Sequence, residues 1–174
     1  MKENDIFDWG FGKKEEKELV SVNVFIILFF LTMGLYGTWW MYKTWRYLKE
    51  KDNLDIMPAM RAIFAIIFLY ELLVRIQERA HSRGYQQKYY SGPLFIGFIL
   101  LSFLTQLPAP MWVISQLAFL FLISPFTAFN YVLMREEGLN YKQKDSLSQR
   151  QIILAFFGAV LWSMAIMELV MGGS

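Results

Sequence analysis

The chain has no cysteine and a single histidine, His81, among its 174 residues. The absence of cysteine excludes disulfide bonds and zinc sites built on thiolates. His81 lies between Arg79 and Arg83 in a polar stretch, where we expect an ordinary solvated side chain. The sequence also lacks a clustered Ser/His/Asp set, a zinc-ligand spacing and a glycine-rich phosphate loop. We therefore predict no enzyme activity, no catalytic residues, no metal site and no cofactor.

Charge is scarce along much of the chain and is unevenly placed. The 17 Lys and Arg residues and 15 Asp and Glu residues give a net charge of +2, which offers little support for a nucleic-acid partner. Residues 89–134 carry no charged side chain, and a proline-containing turn, 107–110, lies near their middle. Because one membrane-spanning helix needs about 20 apolar residues, this run predicts two spans joined by a turn.

The composition favours an integral membrane protein: 56% of the residues are hydrophobic and 18% are aromatic, above the usual level for soluble domains. The predicted fold class is all-α and polytopic, with four or five transmembrane helices. Residues 1–18 form a polar N-terminal tail, and residues 19–174 form a single membrane-embedded helical domain. The uncharged runs place spans at Val20–Met41, Pro93–Leu107, Met111–Met134 and Gln151–Val170.

Two of these runs, Pro93–Leu107 and Met111–Met134, are spans three and four of the five-span arrangement. They are predicted to form a helical hairpin, and Ser124 with Pro125 predicts a kink in the second helix. In the predicted first span, Val20–Met41, Gly34 and Gly37 are small enough to let another helix approach closely.

The segment Pro58–Gln77 is ambiguous between a span and a short amphipathic or re-entrant helix. Its uncharged core is short for a span. At about 100° per residue, its charged side chains, among them Arg61, Glu71 and Arg75, fall on one face. Such a helix suits the membrane interface, with its apolar face in the acyl region. Glu71 and Arg75 are also spaced for an i,i+4 ion pair.

Two topologies follow from this ambiguity. If Pro58–Gln77 spans the bilayer, the protein has five spans, its N-terminus is inside and the loop 42–61 is outside. If the segment lies in the interface, the protein has four spans, residues 42–92 are inside and the N-terminal tail is outside. The second topology is preferred because it places a dense basic segment on the anionic leaflet. Both topologies place the C-terminus outside.

Arg61, Glu71 and Arg75 are the candidate ligand-binding residues. Ionisable side chains at membrane depth are costly, and for that reason they mark functional sites. A cluster of this kind would hold an anionic headgroup or relay protons. The alternative is that the side chains reach back to water from an interfacial helix and have no further role.

Lys43, Arg46, Lys49 and Lys51 are the candidate lipid-headgroup residues. They stand among aromatic side chains that anchor at headgroup level. Each cation near an anionic leaflet contributes on the order of 1 kcal/mol to binding. General anchoring by the positive-inside rule explains the same pattern.

Uncharged polar residues of spans three and four form a further candidate surface. At helical spacing, three of them share one face of span four, and three more lie on span three: Gln116, Thr127 and Asn130, then Ser102, Thr105 and Gln106. The functional interpretation is a translocation path, and the structural one is hydrogen bonding between helices.

The stretch Leu35–Glu50 (LYGTWWMYKTWRYLKE) resembles an uncharacterised family of bacterial inner-membrane proteins. The segment 58–70, with Pro58 and RAIFA, and the LPAPMW turn at 107–112 are similar to later parts of the same family. Ala109 departs from an acidic residue expected there, and Met111 departs from an aromatic one. The resemblance implies an inner-membrane location and a helical fold, and it carries over no catalytic or binding residues.

The sequence thus predicts a non-enzymatic integral protein of the bacterial inner (cytoplasmic) membrane. Its expected partners are membrane lipid, a second copy of the chain or another membrane protein, and not nucleic acid. The alternative is a small transporter, or a transporter subunit, that uses Glu71, Arg75 and the polar face of span four. Because five short spans make a poor complete transporter, that alternative requires an oligomer.

Overall fold

The structure is a computed structural model that describes residues 17–107, 111–136, 141–144 and 149–171. Most of the predicted polar tail 1–18, the centre of the predicted hairpin turn and parts of the loop 135–150 lie outside the described residues. The elements follow in chain order: β1 Lys17–Val20, α1 Val22–Leu31, α2 Leu35–Asp52, α3 Pro58–Ile63, α4 Ala65–Ser82, α5 Ser91–Phe103, α6 Leu120–Met134, β2 Tyr141–Lys144 and α7 Gln149–Met171. Apart from the two short strands, the described chain is helical, which confirms the all-α class.

The predicted first span, Val20–Met41, is not one helix. α1 ends at Leu31 and α2 begins at Leu35. Between them, Met33 and Gly34 have positive φ angles of 51° and 89°. Left-handed backbone cannot continue a right-handed helix, and glycine adopts it without a steric penalty. The prediction of a continuous span is therefore wrong, because the chain turns at these two residues.

α1 folds back along α2. The Phe25 ring centroid lies 5.9 Å from that of Tyr36 and 5.9 Å from that of Trp40. Phe29 closes on Gly37, where an added Cβ would lie 2.6 Å from a ring carbon. The missing side chain of Gly37 allows this approach. The first apolar run is thus a helical hairpin that returns the chain to the end from which it started.

The ambiguous segment Pro58–Gln77 consists of two helices. α3 ends at Ile63, and Phe64, with φ −89° and ψ 47°, interrupts the helix before α4 begins. α3 packs against α2, and α4 continues as a helix of 18 residues. Because of this break, Arg61 of α3 and the charged side chains of α4 no longer belong to one continuous helical face. Contact between them therefore depends on how the two helices pack.

α5 and the segment Met111–Met134 pack side by side, as the predicted hairpin requires. Gly97 of α5 lies against Phe121, whose ring would stand 2.2 Å from an added Cβ. Met111–Phe119 is a 3₁₀ helix, and α6 includes Pro125. Of the described helices, one, Trp112–Met134, is long and apolar enough to cross a bilayer by length and composition.

α7 reaches the rest of the protein mainly through α1. The rings of Phe30 and Trp162 stack with centroids 4.7 Å apart, and the Trp162 Nε1 group donates a hydrogen bond to the Phe30 carbonyl at 3.0 Å. Gly158 sits directly on the end of α1, where an added Cβ would lie 2.2 Å from the Leu31 carbonyl oxygen. The contact is therefore backbone to backbone.

The buried core lies where α1, α2, α4 and α6 meet. Its large, fully buried side chains come from all four helices and include Phe25, Leu28, Met41, Trp45, Leu48, Leu69, Leu72, Leu73, Ile76, Leu122 and Val132. Stacking of Phe25 on Phe126, with centroids 4.3 Å apart, links the two apolar hairpins.

Polar segments from distant parts of the chain meet at one end of this core. β1 pairs in parallel with β2, from Lys17 opposite Tyr141 to Val20 opposite Lys144. Asp52, at the end of α2, accepts a 2.5 Å bond from Arg79 of α4. Lys51 forms an ion pair with Glu136, just after α6. We call this region, which comprises both strands and the C-terminal ends of α2, α4 and α6, the polar end.

Neither predicted topology fits these contacts, since residues in direct contact lie on one side of a bilayer. The five-span topology separates Lys51 from Glu136, which form an ion pair. The four-span topology separates β1 from β2, which are hydrogen-bonded. Two features of the fold conflict with the predicted topologies: the turn at Gly34 returns the first apolar run to its starting end, and the Arg79–Asp52 hydrogen bond brings the two ends of Pro58–Gln77 together.

Candidate functional site

The three predicted ligand-binding residues, Arg61, Glu71 and Arg75, come together. Arg61 Nη1 lies 2.6 Å from Glu71 Oε2, and Arg75 Nε lies 2.8 Å from Glu71 Oε1. Each carboxylate oxygen is therefore used by a different arginine. Two guanidinium groups face one carboxylate, so the three side chains keep a net positive charge. We call these residues the arginine–glutamate cluster.

Aromatic rings fix the position of Arg61 in this cluster. Its guanidinium carbon lies 4.6 Å from the ring centroid of Trp45 and 4.8 Å from that of Phe68. Contacts of this kind stabilise a cation over an aromatic face. Trp45 is 0% exposed, and the Arg61 side chain is 21% exposed. The packing of α3 on α2 thus places a charged side chain from α3 beside α4.

Arg75 is held less completely than Arg61. Among the described residues, its side chain makes one hydrogen bond, from Nε to Glu71, which leaves both terminal nitrogens available as donors. The side chain is 34% exposed. Ile67, one turn before Glu71 on the same helix, is 64% exposed, and neighbouring Tyr70 is about half exposed. A charged group therefore adjoins an uncovered apolar surface.

Two of the predicted headgroup residues, Lys43 and Arg46, contact other side chains of α2. The Lys43 ammonium lies 5.4 Å from the ring centroid of Trp39. Arg46 Nε donates to Glu50 Oε1 at 3.0 Å, in an exposed i,i+4 pair. The carboxylate of Glu50 raises the pKa of the Arg46 guanidinium, which stays charged at every relevant pH.

The other two predicted headgroup residues, Lys49 and Lys51, also bond within the protein. Lys49 Nζ donates to the Ile56 carbonyl at 2.9 Å and holds the turn before α3. Lys51 pairs with Glu136 of the polar end, and this carboxylate raises the pKa of the Lys51 ammonium above its usual 10.5. A raised lysine pKa means that the pairing stabilises the fold at neutral pH and is lost as the pH rises through that pKa. A headgroup role for these lysines stays a prediction.

The uncharged polar residues of spans three and four bond mainly to carbonyls of their own helices. Thr127 Oγ1 donates to the Ile123 carbonyl at 2.9 Å, and Ser102 Oγ donates to the Phe98 carbonyl at 2.8 Å. Thr105 Oγ1 likewise donates to the Ser102 carbonyl at 2.7 Å. Such bonds satisfy a hydroxyl without a partner helix or a ligand.

Two further residues of this polar face, Asn130 and Gln116, are buried. Asn130 Nδ2 donates to the Val20 carbonyl at 3.0 Å and so fastens α6 to the end of β1. Gln116 is 5% exposed, in the 3₁₀ helix. Gln106 is exposed, near the predicted turn.

The polar end contains charged residues with tertiary contacts that the sequence did not indicate as candidates. Asp52, Arg83 and Glu136 all take part, and Arg83 Nη1 donates to the Val132 carbonyl at 2.5 Å. Arg83 and Glu136 lie in segments that look like ordinary polar loops. Arg83 bonds to Val132 and Glu136 pairs with Lys51, so each contact joins segments far apart in sequence and only the tertiary fold reveals it.

An open groove lies between the α1–α2 turn and α7. Its volume is about 520 Å³, and its lining consists of apolar side chains: Met33, Leu161, Met164, Ala165, Met167 and Met171. Among the described side chains, none that lines the groove is charged. Among the described residues, no group of three His, Asp or Glu side chains is placed to hold a metal ion.

Comparison of the chain with protein-family models, with curated proteins and with solved structures finds no match. The resemblance of Leu35–Glu50 to bacterial inner-membrane proteins therefore stays a prediction.

Proposed function

We propose that this chain is a non-enzymatic integral protein of the bacterial inner membrane that inserts from one side and acts by binding membrane lipid. The observation that carries the proposal is the separation of charge from exposed apolar surface. The polar end gathers charged side chains from both strands and from the ends of three helices. α1, α5 and the segment Met111–Met134 contain no charged residue.

Large apolar side chains are exposed on several helices rather than in one small patch. They include members of α1, α4, α5, α6 and α7: Ile27, Phe30, Ile66, Ile67, Ile96, Leu100, Phe103, Leu120, Ile153, Phe156, Phe157, Met164 and Met167. A monomeric soluble protein rarely exposes so extended an apolar surface. Contact of this surface with acyl chains costs no free energy, whereas its exposure to water is unfavourable.

One-sided insertion also removes the conflict between the two predicted topologies. Each of them leaves some basic segment on the outer side, against the positive-inside rule. If the α1–α2 hairpin returns to its starting side and α3 and α4 do not cross, this topology assigns all 17 Lys and Arg residues of the sequence to the inner side. The anionic inner leaflet then faces the whole basic charge of the protein.

The arginine–glutamate cluster marks the expected headgroup level. At 1.5 Å per helical residue, Glu71 lies about 12 Å along α4 from Arg79, which belongs to the polar end. Beyond Glu71, α4 exposes Ile67 and Ile66. This order, from polar end through ion cluster to apolar surface, matches the order from water to headgroup to acyl chain.

Native mass spectrometry of the protein, released in mild detergent from membranes washed with alkaline carbonate, tests the proposal. The expected result is a protein that stays in the washed membrane pellet and carries phospholipid at a defined ratio. Recovery in the carbonate supernatant would contradict membrane insertion. Recovery from the pellet without any retained lipid would contradict the lipid-binding role.

A further inference from the structure

We infer that Arg75 and Arg61, bridged by Glu71, form a binding site for the phosphate group of an anionic phospholipid. The inference rests on the proposed membrane function and deepens it by naming the site and the ligand chemistry. The three side chains are in direct contact and belong to α3 and α4, which pack beside α2.

The donors that remain free on Arg75 fit a phosphate. Its terminal nitrogens make no hydrogen bond among the described residues, and the side chain is partly exposed. The planar fork of a guanidinium group pairs with two phosphate oxygens at once, with charge-assisted bonds. Arg61 adds a second positive charge that its aromatic neighbours Trp45 and Phe68 hold in place.

The net charge of the cluster selects an anionic lipid over a zwitterionic one. Two guanidinium groups and one carboxylate leave one positive charge, which favours a ligand with one negative charge. A choline headgroup would bring its own cation toward two arginines and lose part of the phosphate attraction. Phosphatidylglycerol has the phosphate without that cation.

The surroundings also accommodate the rest of the lipid. Ile67 and Tyr70 are exposed on the side of the cluster away from the polar end. Ile67, Glu71 and Arg75 are spaced four residues apart, so they lie on one ridge of α4. A phosphate at Arg75 therefore leaves an acyl chain free to run along Ile67, in the direction of the bilayer centre.

Glu71 acts in this site as a competitor for the arginines. Its carboxylate already occupies Arg75 Nε and Arg61 Nη1. A lipid phosphate that uses the same donors has to share or displace it, so binding is expected to be reversible. Removing the Glu71 charge should strengthen lipid binding, which a purely structural ion cluster would not show.

The test is a titration of the purified full chain with phosphatidylglycerol, followed by native mass spectrometry, with phosphatidylcholine as the parallel ligand. Arg75→Gln should weaken phosphatidylglycerol binding by on the order of fivefold, the factor expected for one cation near an anionic lipid. Glu71→Gln should strengthen it by a similar factor. Arg135→Gln is the matched control, because it removes an exposed arginine that lies just after α6, over the Tyr131 ring and outside the cluster, and it should leave binding unchanged.

Two further measurements keep the outcomes separate. Arg75→Lys retains the charge without the fork and should bind with an affinity between those of the native protein and Arg75→Gln. Glycerol phosphate should not compete with the lipid at equal concentration; if it does, the site takes a soluble phosphate ester and the lipid assignment is overturned. Unchanged binding in both Arg75 variants, or a loss of binding in Glu71→Gln, overturns the site. Membrane insertion is measured separately, by flotation of each variant with phosphatidylcholine vesicles. Variants that still float support the proposed function even if the site is overturned. Failure of the native protein to float overturns the proposed function itself.

Discussion

Replacement of Gly158 by alanine is expected to detach α7 from α1. The added Cβ would lie 2.2 Å from the Leu31 carbonyl oxygen and 2.6 Å from the Leu31 carbonyl carbon. These are backbone atoms, which cannot move aside by changing a rotamer. Overpacking of this kind costs about 1–3 kcal/mol, and among the described residues α7 packs mainly on α1. The whole helix should therefore move away.

Trp162 reports the change directly. Its ring stacks on Phe30, and its Nε1 group donates to the Phe30 carbonyl. We expect a shift of its fluorescence and a lower unfolding temperature in detergent. Gly92→Ala is the matched control, because no atom lies within 4 Å of the added Cβ. That variant should be neutral or slightly more stable, since alanine favours a helix over glycine by about 1 kcal/mol. Equal behaviour of the two variants would contradict the packing of α7.

Replacement of Trp45 by alanine should cause the largest loss of stability of any substitution proposed here. Trp45 is 0% exposed, and it also supports the Arg61 guanidinium group at 4.6 Å. Truncating a buried tryptophan to alanine costs about 3–5 kcal/mol because it leaves a cavity. The loss of the ring in addition frees Arg61 from one of its two aromatic contacts. Chemical unfolding of the purified protein measures the change.

Trp39→Ala is the control for this experiment. Trp39 lies on the same helix, is only partly buried and packs on Tyr42 with ring centroids 5.4 Å apart. Its truncation should cost clearly less than that of Trp45. A loss as large as that of Trp45→Ala would show that α2 is not oriented with Trp45 toward the core.

Local patterns in the sequence predicted the site better than they predicted the path of the chain. The Glu71–Arg75 pair follows from i,i+4 spacing within one helix, and it is present. Arg61 joins it although the helix is broken at Phe64, because the packing of α3 on α2 restores the alignment. The ambiguous segment Pro58–Gln77 is two helices rather than one, yet the three side chains predicted to share a face are in contact.

The turn after α1 illustrates why hydropathy alone fails. The residues from Val22 to Met41 are uniformly uncharged, so a window average cannot distinguish one long helix from a hairpin of two. The signals are the positive φ angles at Met33 and Gly34, and only glycine is visible in the sequence as a residue that tolerates such backbone. Gly37 was recognised as a site of close approach, but the partner is Phe29 of the same run.

The polar end could not be predicted for a different reason. Asp52 and Arg79 are 27 residues apart, and Lys51 and Glu136 are further apart still. No periodicity connects residues at such separations, and charged side chains in loops have many available partners. Topology rules assign such segments to sides of the membrane from their charge alone. Such rules therefore depend on a correct count of spans. The turn at Gly34 changes that count, because it makes the first apolar run a hairpin.

The most direct test of one-sided insertion is single-cysteine labelling in intact cells, which the absence of native cysteine makes straightforward. Cysteines at Lys14, Asn53 and Gln87 report on three segments that the account places on the inner side. It predicts that all three resist a membrane-impermeant thiol reagent in intact cells, and that all three react with a permeant one. Labelling of the Asn53 variant by the impermeant reagent would support the five-span topology, and labelling of the Lys14 variant would support the four-span one. Either result would contradict the account.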